Sequence, residues 1–389
     1  MKKALALSAL VWIFTVLSVA GQAPASPGEV LPGVTPREFE EFRIGLEDFR
    51  EIEEASEGLG PLFNGTGCAS CHNVPVIGGG SPMTEMRAGT RDADGTFRVV
   101  GGTTLYQLFS IPDHRCQAAV PSEATVVARR MSIPLFGAGL IEAIPDETLL
   151  AMEDPFDRDG DGISGRAAVI TDVATKQRRV GRFGWKAQVA TLLTFSGDAY
   201  TNEMGITNDL FPQEPYGGIS EERMRECDRV KDPEDVVDPR TGKRAIDNFE
   251  SFMKFLAPLS RGPITDTART GEQVFNAIGC SSCHVPALTT GANASAALNR
   301  KTVPLYSDLL LHDIGTGDGI AQEAAQPAEI RTPALWGLRV RRPLMHDGSA
   351  MTVTEALRQH GGEASGVMER YRRATDDLRR ALMAFLDSL

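Results

Sequence analysis

The chain lacks the features that mark a membrane-spanning or a nucleic-acid-binding protein. After an apolar run near its start, no apolar stretch is long enough to span a bilayer. Basic residues are outnumbered, with 40 Lys and Arg against 52 Asp and Glu, and the formal net charge is −12. This charge argues against binding to nucleic acid or to an anionic membrane surface. Strand-like alternation is also rare; residues 96–100 and 169–173 show it best.

The start of the chain has the pattern of an export signal. Lys2 and Lys3 precede an apolar run from Ala4 to Ala20. A charged start, an apolar middle and a small-residue exit predict a signal peptide over residues 1–20. The alternative is a retained membrane anchor, although the run is only about as long as the shortest spanning helix. We therefore expect a periplasmic protein with no stable membrane insertion after signal removal.

Two short motifs carry most of the functional information. Residues 68–72 and 280–284 both read C-x-x-C-H, which is the attachment signature of a c-type haem. Two thiols three residues apart on a helical turn point the same way, so both can form thioethers to one porphyrin edge. The adjacent imidazole then reaches the iron. The sequence therefore predicts two covalently bound haems c. The attachment residues are Cys68, Cys71, Cys280 and Cys283, and the proximal iron ligands are His72 and His284.

The two remaining cysteines are Cys116 and Cys227. In an oxidising compartment, two leftover thiols favour a disulfide that closes a long loop. The alternative is a pair of buried free thiols.

The haem motifs lie in a degenerate internal repeat. Residues 61–68 match residues 273–280 at Phe, Asn, Gly and Cys, which predicts two related haem units. The second unit, residues 265–389, is compact. The first, residues 32–262, is far larger and carries a long loop-rich insertion. We expect a mainly α fold with two cytochrome c-like units, the first enlarged by this insertion.

The C-terminal segment has the pattern of an amphipathic helix. Leu378, Leu382, Phe385 and Leu389 are spaced by four, three and four residues. A C-terminal helix that packs on the helix preceding the haem motif is what a small cytochrome c fold requires.

Further strings complete a family pattern. Besides the two C-x-x-C-H motifs, they occupy residues 134–146, 159–166, 181–187, 307–315 and 346–362. In these strings the chain resembles the bacterial di-haem oxidoreductases, also called thiol oxidoreductases, which are related to the di-haem cytochrome c peroxidases. The resemblance implies a peroxidase-like enzyme. Electrons from a small periplasmic protein would enter at the C-terminal haem and be used at the N-terminal haem on peroxide. The alternative is a di-haem electron-transfer protein with no catalytic site.

The resemblance also suggests the distal ligand of the C-terminal haem. In the related peroxidases this ligand lies fourteen residues beyond the His of a His-x-Gly string, and from His346 that count reaches His360. Two nitrogen ligands would favour Fe(III) and lower the reduction potential relative to His and Met ligation. Met345 is the alternative ligand. The alternative role for His360 is to cap a helix. For His346 we expect hydrogen bonding near the C-terminal haem, without iron ligation.

The N-terminal haem has no evident distal ligand. Met131 and His114 are candidates, and an open coordination position is the alternative that allows peroxide to bind. Peroxide activation needs an acid–base group. Glu142 lies in an apolar context that would raise its pKa on burial, so it is our candidate catalytic residue. The alternative is a solvated loop carboxylate.

Two smaller features remain. Asp157, Asp159 and Asp161 occupy alternate positions, as ligands do in a calcium loop, although Ala168 stands where the usual twelfth-position Glu would be. They predict calcium, with a capped turn as the alternative. The resemblance also makes Trp185 a candidate electron relay between the haems, against plain core packing.

Overall fold

The computed structural model describes residues 26–112, 115–215 and 217–389. The predicted signal peptide, residues 1–20, and the candidate ligand His114 lie outside these residues. No helix in the described ranges is long and apolar enough to cross a membrane.

The fold is helix-rich, as the sequence predicts, with short strands between the helices. The helices are α1 (Pro36–Phe49), α2 (Cys68–Cys71), α3 (Ala138–Glu142), α4 (Asp146–Leu150), α5 (Leu192–Met204), α6 (Glu221–Cys227), α7 (Ala245–Phe255), α8 (Asp266–Ile278), α9 (Val353–Gln359), α10 (Ser365–Arg373) and α11 (Asp376–Leu386). The strands are β1 (Leu62–Phe63), β2 (Thr84–Arg91), β3 (Phe97–Arg98), β4 (Leu105–Tyr106), β5 (Phe109–Ser110), β6 (Val126–Met131), β7 (Val169–Thr171), β8 (Arg178–Val180), β9 (Leu288–Thr289), β10 (Thr302–Val303), β11 (Leu311–His312) and β12 (Ile330–Arg331).

Helices α1 and α7 pack together around the first haem motif. Helix α1 begins with a capping box, in which Thr35 and Glu38 satisfy each other's backbone N–H groups. The two helices approach closely at Gly45, where a Cβ atom would lie 2.2 Å from the carbonyl oxygen of Asn248. With the helices this close, the centroids of the Phe49 and Phe252 rings lie 4.7 Å apart.

Helices α8 and α11 make the same kind of contact around the second motif. At Gly271 a Cβ atom would lie 1.9 Å from the carbonyl oxygen of Ala381, so only glycine fits. The Phe275 and Phe385 rings then meet at 5.1 Å. The predicted C-terminal helix is present, with Leu382, Phe385 and Leu389 buried, but Leu378 is 40% exposed and lies off the buried face.

The longest strands are ones that alternation did not indicate. Strands β2 and β6 form an antiparallel ladder from Thr84 opposite Met131 to Gly89 opposite Val126. Both strands bury arginine, Arg87 and Arg130, so their inner face is not apolar. The two segments in which apolar and polar residues alternate, 96–100 and 169–173, contain only the short strands β3 and β7.

Apolar side chains form two main clusters. The larger runs from residue 31 to residue 310, and the second combines Ile163 with residues 274–389. Side chains from residues 288–310 join the larger cluster, so the first core extends past the predicted unit boundary near residue 262.

A buried ion triad links distant parts of the chain. Asp318 accepts hydrogen bonds from Arg130 Nε at 2.6 Å and lies 3.0 Å from Lys186 Nζ. All three side chains are almost fully buried. Burial alone would raise the pKa of Asp318, but Arg130 and Lys186 hold it below its ordinary value.

We expect Asp318→Asn to lower the free energy of unfolding by about 3–5 kcal/mol, because it leaves two buried cations without their counter-charge. Chemical denaturation measures this loss. The matched control is Asp376→Asn, which breaks an exposed pair with Arg379 at the start of α11 and should cause a much smaller loss. Equal effects of the two substitutions would contradict a structural role for the triad.

Candidate haem sites

Two clefts of similar size lie in the structure. The first is lined by Cys68, Cys71 and His72, and the second by residues of the 280–284 motif. Both linings are mainly apolar, as expected for sites that hold a large cofactor.

In the first cleft the chain positions an imidazole next to two thiols. Cys68 and Cys71 begin and end helix α2, and His72 follows at its end. The His72 Nδ1–H donates to the carbonyl oxygen of Gly79 at 2.9 Å, which leaves Nε2 available as a ligand atom. Burial lowers the pKa of His72, so the ring is held neutral, as metal ligation requires.

The second cleft repeats this arrangement. Cys280 lies in a 3₁₀ turn that follows helix α8, and His284 comes one residue after Cys283. The His284 Nδ1–H donates to the carbonyl oxygen of Tyr306 at 3.0 Å. Burial, assisted by the nearby His360, lowers the pKa of His284 to about 4. Both proximal candidates therefore present Nε2 in the neutral form.

Three of the four cleft thiols have raised pKa values. Burial raises the pKa of Cys68 and of Cys280 to about 12 and that of Cys71 to about 11. Reactive C-x-x-C pairs instead have lowered thiol pKa values. These motifs thus fit haem attachment better than thiol–disulfide exchange.

His360 lies on the wall of the second cleft together with His284. It caps the C-terminus of α9, and its Nδ1–H donates to the carbonyl oxygen of Ala356 at 2.8 Å, so its Nε2 is also available. Burial lowers the pKa of His360. Met345, the alternative ligand, lines the same cleft.

Trp185 lines both clefts. Its indole N–H donates to the carbonyl oxygen of Met131 at 2.8 Å, and its ring lies 6.2 Å from that of His346. Trp336, by contrast, lines a smaller third cavity.

A group of carboxyl side chains lines the first cleft: Glu85, Asp198 and Glu203. Burial and the negative charge of Glu85 raise the pKa of Glu203 to about 8, while Arg87 holds the pKa of Glu85 below its ordinary value despite burial. At neutral pH the pair thus combines a protonated Glu203 with an ionised Glu85. Asn64 Nδ2 donates to Glu203 at 2.7 Å and fixes its position.

Asp198 is a further carboxyl group of this set, because burial raises its pKa to about 6. Sequence reasoning missed all three. Glu85 and Arg87 lie on the same face of a strand, but this pattern is visible only once β2 is recognised as a strand. The residues around Glu203 give no indication that it lines a cleft.

Glu142, the sequence candidate for catalysis, is not among the residues that line either cleft. Its carboxylate accepts a hydrogen bond from the Leu192 N–H at 2.7 Å, at the start of α5. Burial does raise the pKa of Glu142, as expected. Its position suits the anchoring of a helix rather than proton transfer in a cleft.

Buried arginines at the cleft walls fit an anionic cofactor. Arg130 lines the first cleft, and its buried Nη2 has no partner among the described residues. Arg331 and Arg341 line the second cleft, where burial lowers the pKa of each to about 10. A haem carries two propionates, which such side chains pair with well. The residues present therefore fit a haem in each cleft.

The remaining candidates lie elsewhere. Carboxylate oxygens of Asp157, Asp159 and Asp161 lie within 4.8 Å of one another, and all three side chains accept backbone N–H groups of their own loop. This geometry fits both the calcium loop and the capped turn. Cys116 and Cys227 are paired as a disulfide, with their Cα atoms 5.9 Å apart.

Comparison with solved structures gives distant likenesses. A hydrazine synthase chain of Kuenenia stuttgartiensis is 16% identical, with 98% of this chain and 100% of that chain covered and a TM-score of 0.41. The diheme peroxidase BthA of Burkholderia thailandensis is also 16% identical, with 94% and 89% covered and a TM-score of 0.44. A MauG-like protein associated with microbial copper homeostasis is 16% identical, with 72% and 95% covered and a TM-score of 0.32.

No curated protein matches the chain. One family model does, over residues 112–389; its description is "Di-haem oxidoreductase, putative peroxidase". This match covers well over half of the chain and includes the second haem motif. The chain belongs to the di-haem oxidoreductase family.

Proposed function

We propose that this protein is a periplasmic di-haem c-type cytochrome that reduces peroxide with electrons from a small periplasmic donor protein. The observation that carries the proposal is the difference between the clefts. The second cleft contains the histidine pair His284 and His360, whereas the first contains His72 and a set of titratable carboxyl groups. The second cleft is thus suited to accept and pass on electrons, and the first is suited to the reaction with peroxide.

Each haem is proposed to attach through the two thiols of its motif, with His72 or His284 as the proximal ligand. The two attachment sites define two cytochrome c-like units, and the first unit is enlarged by the loop-rich insertion. A haem iron held by His72 would supply the redox chemistry that peroxide reduction needs.

The first cleft is proposed to supply the protons. Reduction of one peroxide to two waters consumes two protons and two electrons. Glu203, protonated near neutral pH, is suited to donate a proton, and the ionised Glu85 beside it is suited to accept one. Asn64 and Arg87 hold these carboxyl groups in place.

The second cleft is proposed to receive electrons. His284 and His360 would hold the haem iron in this cleft, and two nitrogen ligands would lower its reduction potential because they favour Fe(III). Electrons would then pass toward the first cleft. Trp185 lines both clefts and is our proposed relay between them.

The loop of Asp157, Asp159 and Asp161 remains a proposed calcium site, since its carboxylates converge as a hard cation requires.

Electron transfer without catalysis is the second candidate function. Met131 lines the first cleft, where its thioether could serve as a distal ligand. Two six-coordinate irons would then leave no position for peroxide.

Spectroscopy of the oxidised protein separates the two functions. We expect one high-spin haem that shifts on adding peroxide or cyanide and one low-spin haem that does not. Replacing His360 by Ala should convert the low-spin signal to high spin because it removes one axial nitrogen, as measured by EPR and optical absorption.

The control for this experiment is Met345→Leu, which should leave both haem signals unchanged. If Met345→Leu alone altered the low-spin signal, the ligand assignment would be wrong. Two low-spin haems inert to both reagents, even after partial reduction, would refute the enzyme.

Replacing Glu203 by Gln should lower the rate of peroxide reduction by about 10²–10⁴-fold, the usual contribution of a general acid. Because the protonated form is the active one, the wild-type rate should be retained at lower pH and fall as pH rises through about 8. The variant should lack that alkaline fall.

The matched control is Glu142→Gln, which changes another buried glutamate that does not line the cleft. It should retain the wild-type rate and pH profile at equal haem content. A loss with Glu142→Gln but not with Glu203→Gln would reverse the assignment.

Replacing Trp185 by Phe should slow electron transfer from the second haem to the first, because it removes the indole that lies between the clefts. Stopped-flow mixing of half-reduced protein with peroxide measures this step. Trp336→Phe, which alters the tryptophan of the third cavity, should leave the rate unchanged. Equal rates in both variants and the wild type would exclude the relay.

A further inference from the structure

A second group of carboxylates lies far from the C-x-x-C-H motifs in sequence. Asp228, Asp232 and Glu234 converge just after the disulfide residue Cys227. Glu214 approaches them from an earlier loop. Ligand oxygens of all four carboxylates lie within 4.8 Å of one another.

Glu214 is the informative member of this group. Glu214 is only 9% exposed, and its Oε1 atom is buried with no hydrogen-bond partner among the described residues. The Oε1 atom of Glu234 is likewise buried and without a partner. A buried carboxylate oxygen without a partner is costly, so it indicates a missing positive group.

Backbone N–H groups and the Thr207 hydroxyl contact three of the four carboxylates. Glu234 Oε2 accepts the Thr207 N–H at 2.6 Å, and the Thr207 hydroxyl lies within hydrogen-bonding distance of Glu234 and, at 2.6 Å, of Asp232. One hydroxyl has a single proton and cannot fully satisfy two carboxylates. Asp228 Oδ1 accepts the Val230 N–H at 3.1 Å. Asp232 and Glu234 are thus positioned in advance, while the buried Oε1 atoms of Glu214 and Glu234 have no partner among the described residues.

Neither of the two buried glutamates has a positive partner in the described part of the chain. In the ranges that the structure describes, neither Glu214 nor Glu234 forms an ion pair with Arg or Lys. The buried Oε1 atoms of Glu214 and Glu234 therefore need either protons or a bound cation.

We propose that Glu214, Asp228, Asp232 and Glu234 form a binding site for a divalent cation of the calcium type. Several carboxylate oxygens and no nitrogen or sulfur donor are the ligand set of a hard cation, and they do not suit zinc. A cation here fastens the Glu214 loop and the chain after Cys227 to Thr207, just beyond the end of α5. The proposal is independent of the proposed peroxidase activity.

The experiment uses the full-length haem-loaded protein, stripped with a chelator and titrated with CaCl₂. The substitution Asp159→Asn serves as the background, because it removes the other candidate calcium loop. On this background we expect one calcium ion per chain by calorimetry and a rise in melting temperature, since a ligand that binds the folded state stabilises it.

Adding Glu214→Gln to that background should weaken calcium binding by about 10- to 100-fold or abolish it, and remove the rise in melting temperature. The matched control is Glu222→Gln, which changes an exposed glutamate on α6 and should preserve both responses.

Two results would overturn the site. One is the absence of calcium binding on the Asp159→Asn background, in which case shared protons neutralise the group. The other is unchanged binding after Glu214→Gln. Haem content and peroxide reduction are measured in parallel, so a failure of this site is distinguishable from a failure of the enzyme proposal.

Discussion

The position of Trp185 between the two clefts depends on the buried cations on either side of it. Arg182 donates to main-chain carbonyls and to Asp146, and Lys186 donates to three carbonyls of residues 326–329 and pairs with Asp318. A buried charge is stable only when it has a full set of hydrogen-bond and ion-pair partners. The contacts of Arg182 and Lys186 therefore fix the segment of residues 182–186 in one position. The walls of both clefts are built against this segment.

The features that the sequence could predict are those set by local geometry. The C-x-x-C-H spacing by itself places two thiols and an imidazole on one turn, and the structure puts each motif on a cleft wall. The pairing of Cys116 with Cys227 followed from counting the remaining thiols. Helical periodicity indicated the C-terminal helix, although Leu378 lies on its exposed side because tertiary packing decides which edge of the apolar stripe is covered.

What the sequence could not predict depends on contacts between distant residues. Strands β2 and β6 bury arginine on their inner face, so they show no simple alternation of apolar and polar residues. Glu85 and Glu203 are 118 positions apart in the numbering, and only the fold brings them into one cleft. Glu142 is the opposite case, because its local sequence did predict a property of the side chain. Its apolar context indicated a raised pKa, but a raised pKa does not reveal which cavity a side chain faces.

The hydrogen bonds from His72 to Gly79 and from His284 to Tyr306 have a consequence for redox tuning. A carbonyl that accepts the Nδ1–H of a ligating imidazole increases the electron donation of that ring to its metal. With His72 and His284 as the proposed iron ligands, the loop that contains each carbonyl would therefore act on the reduction potential of the iron. A docking protein that shifted either loop by a fraction of an ångström would alter the driving force for electron flow without touching the porphyrin.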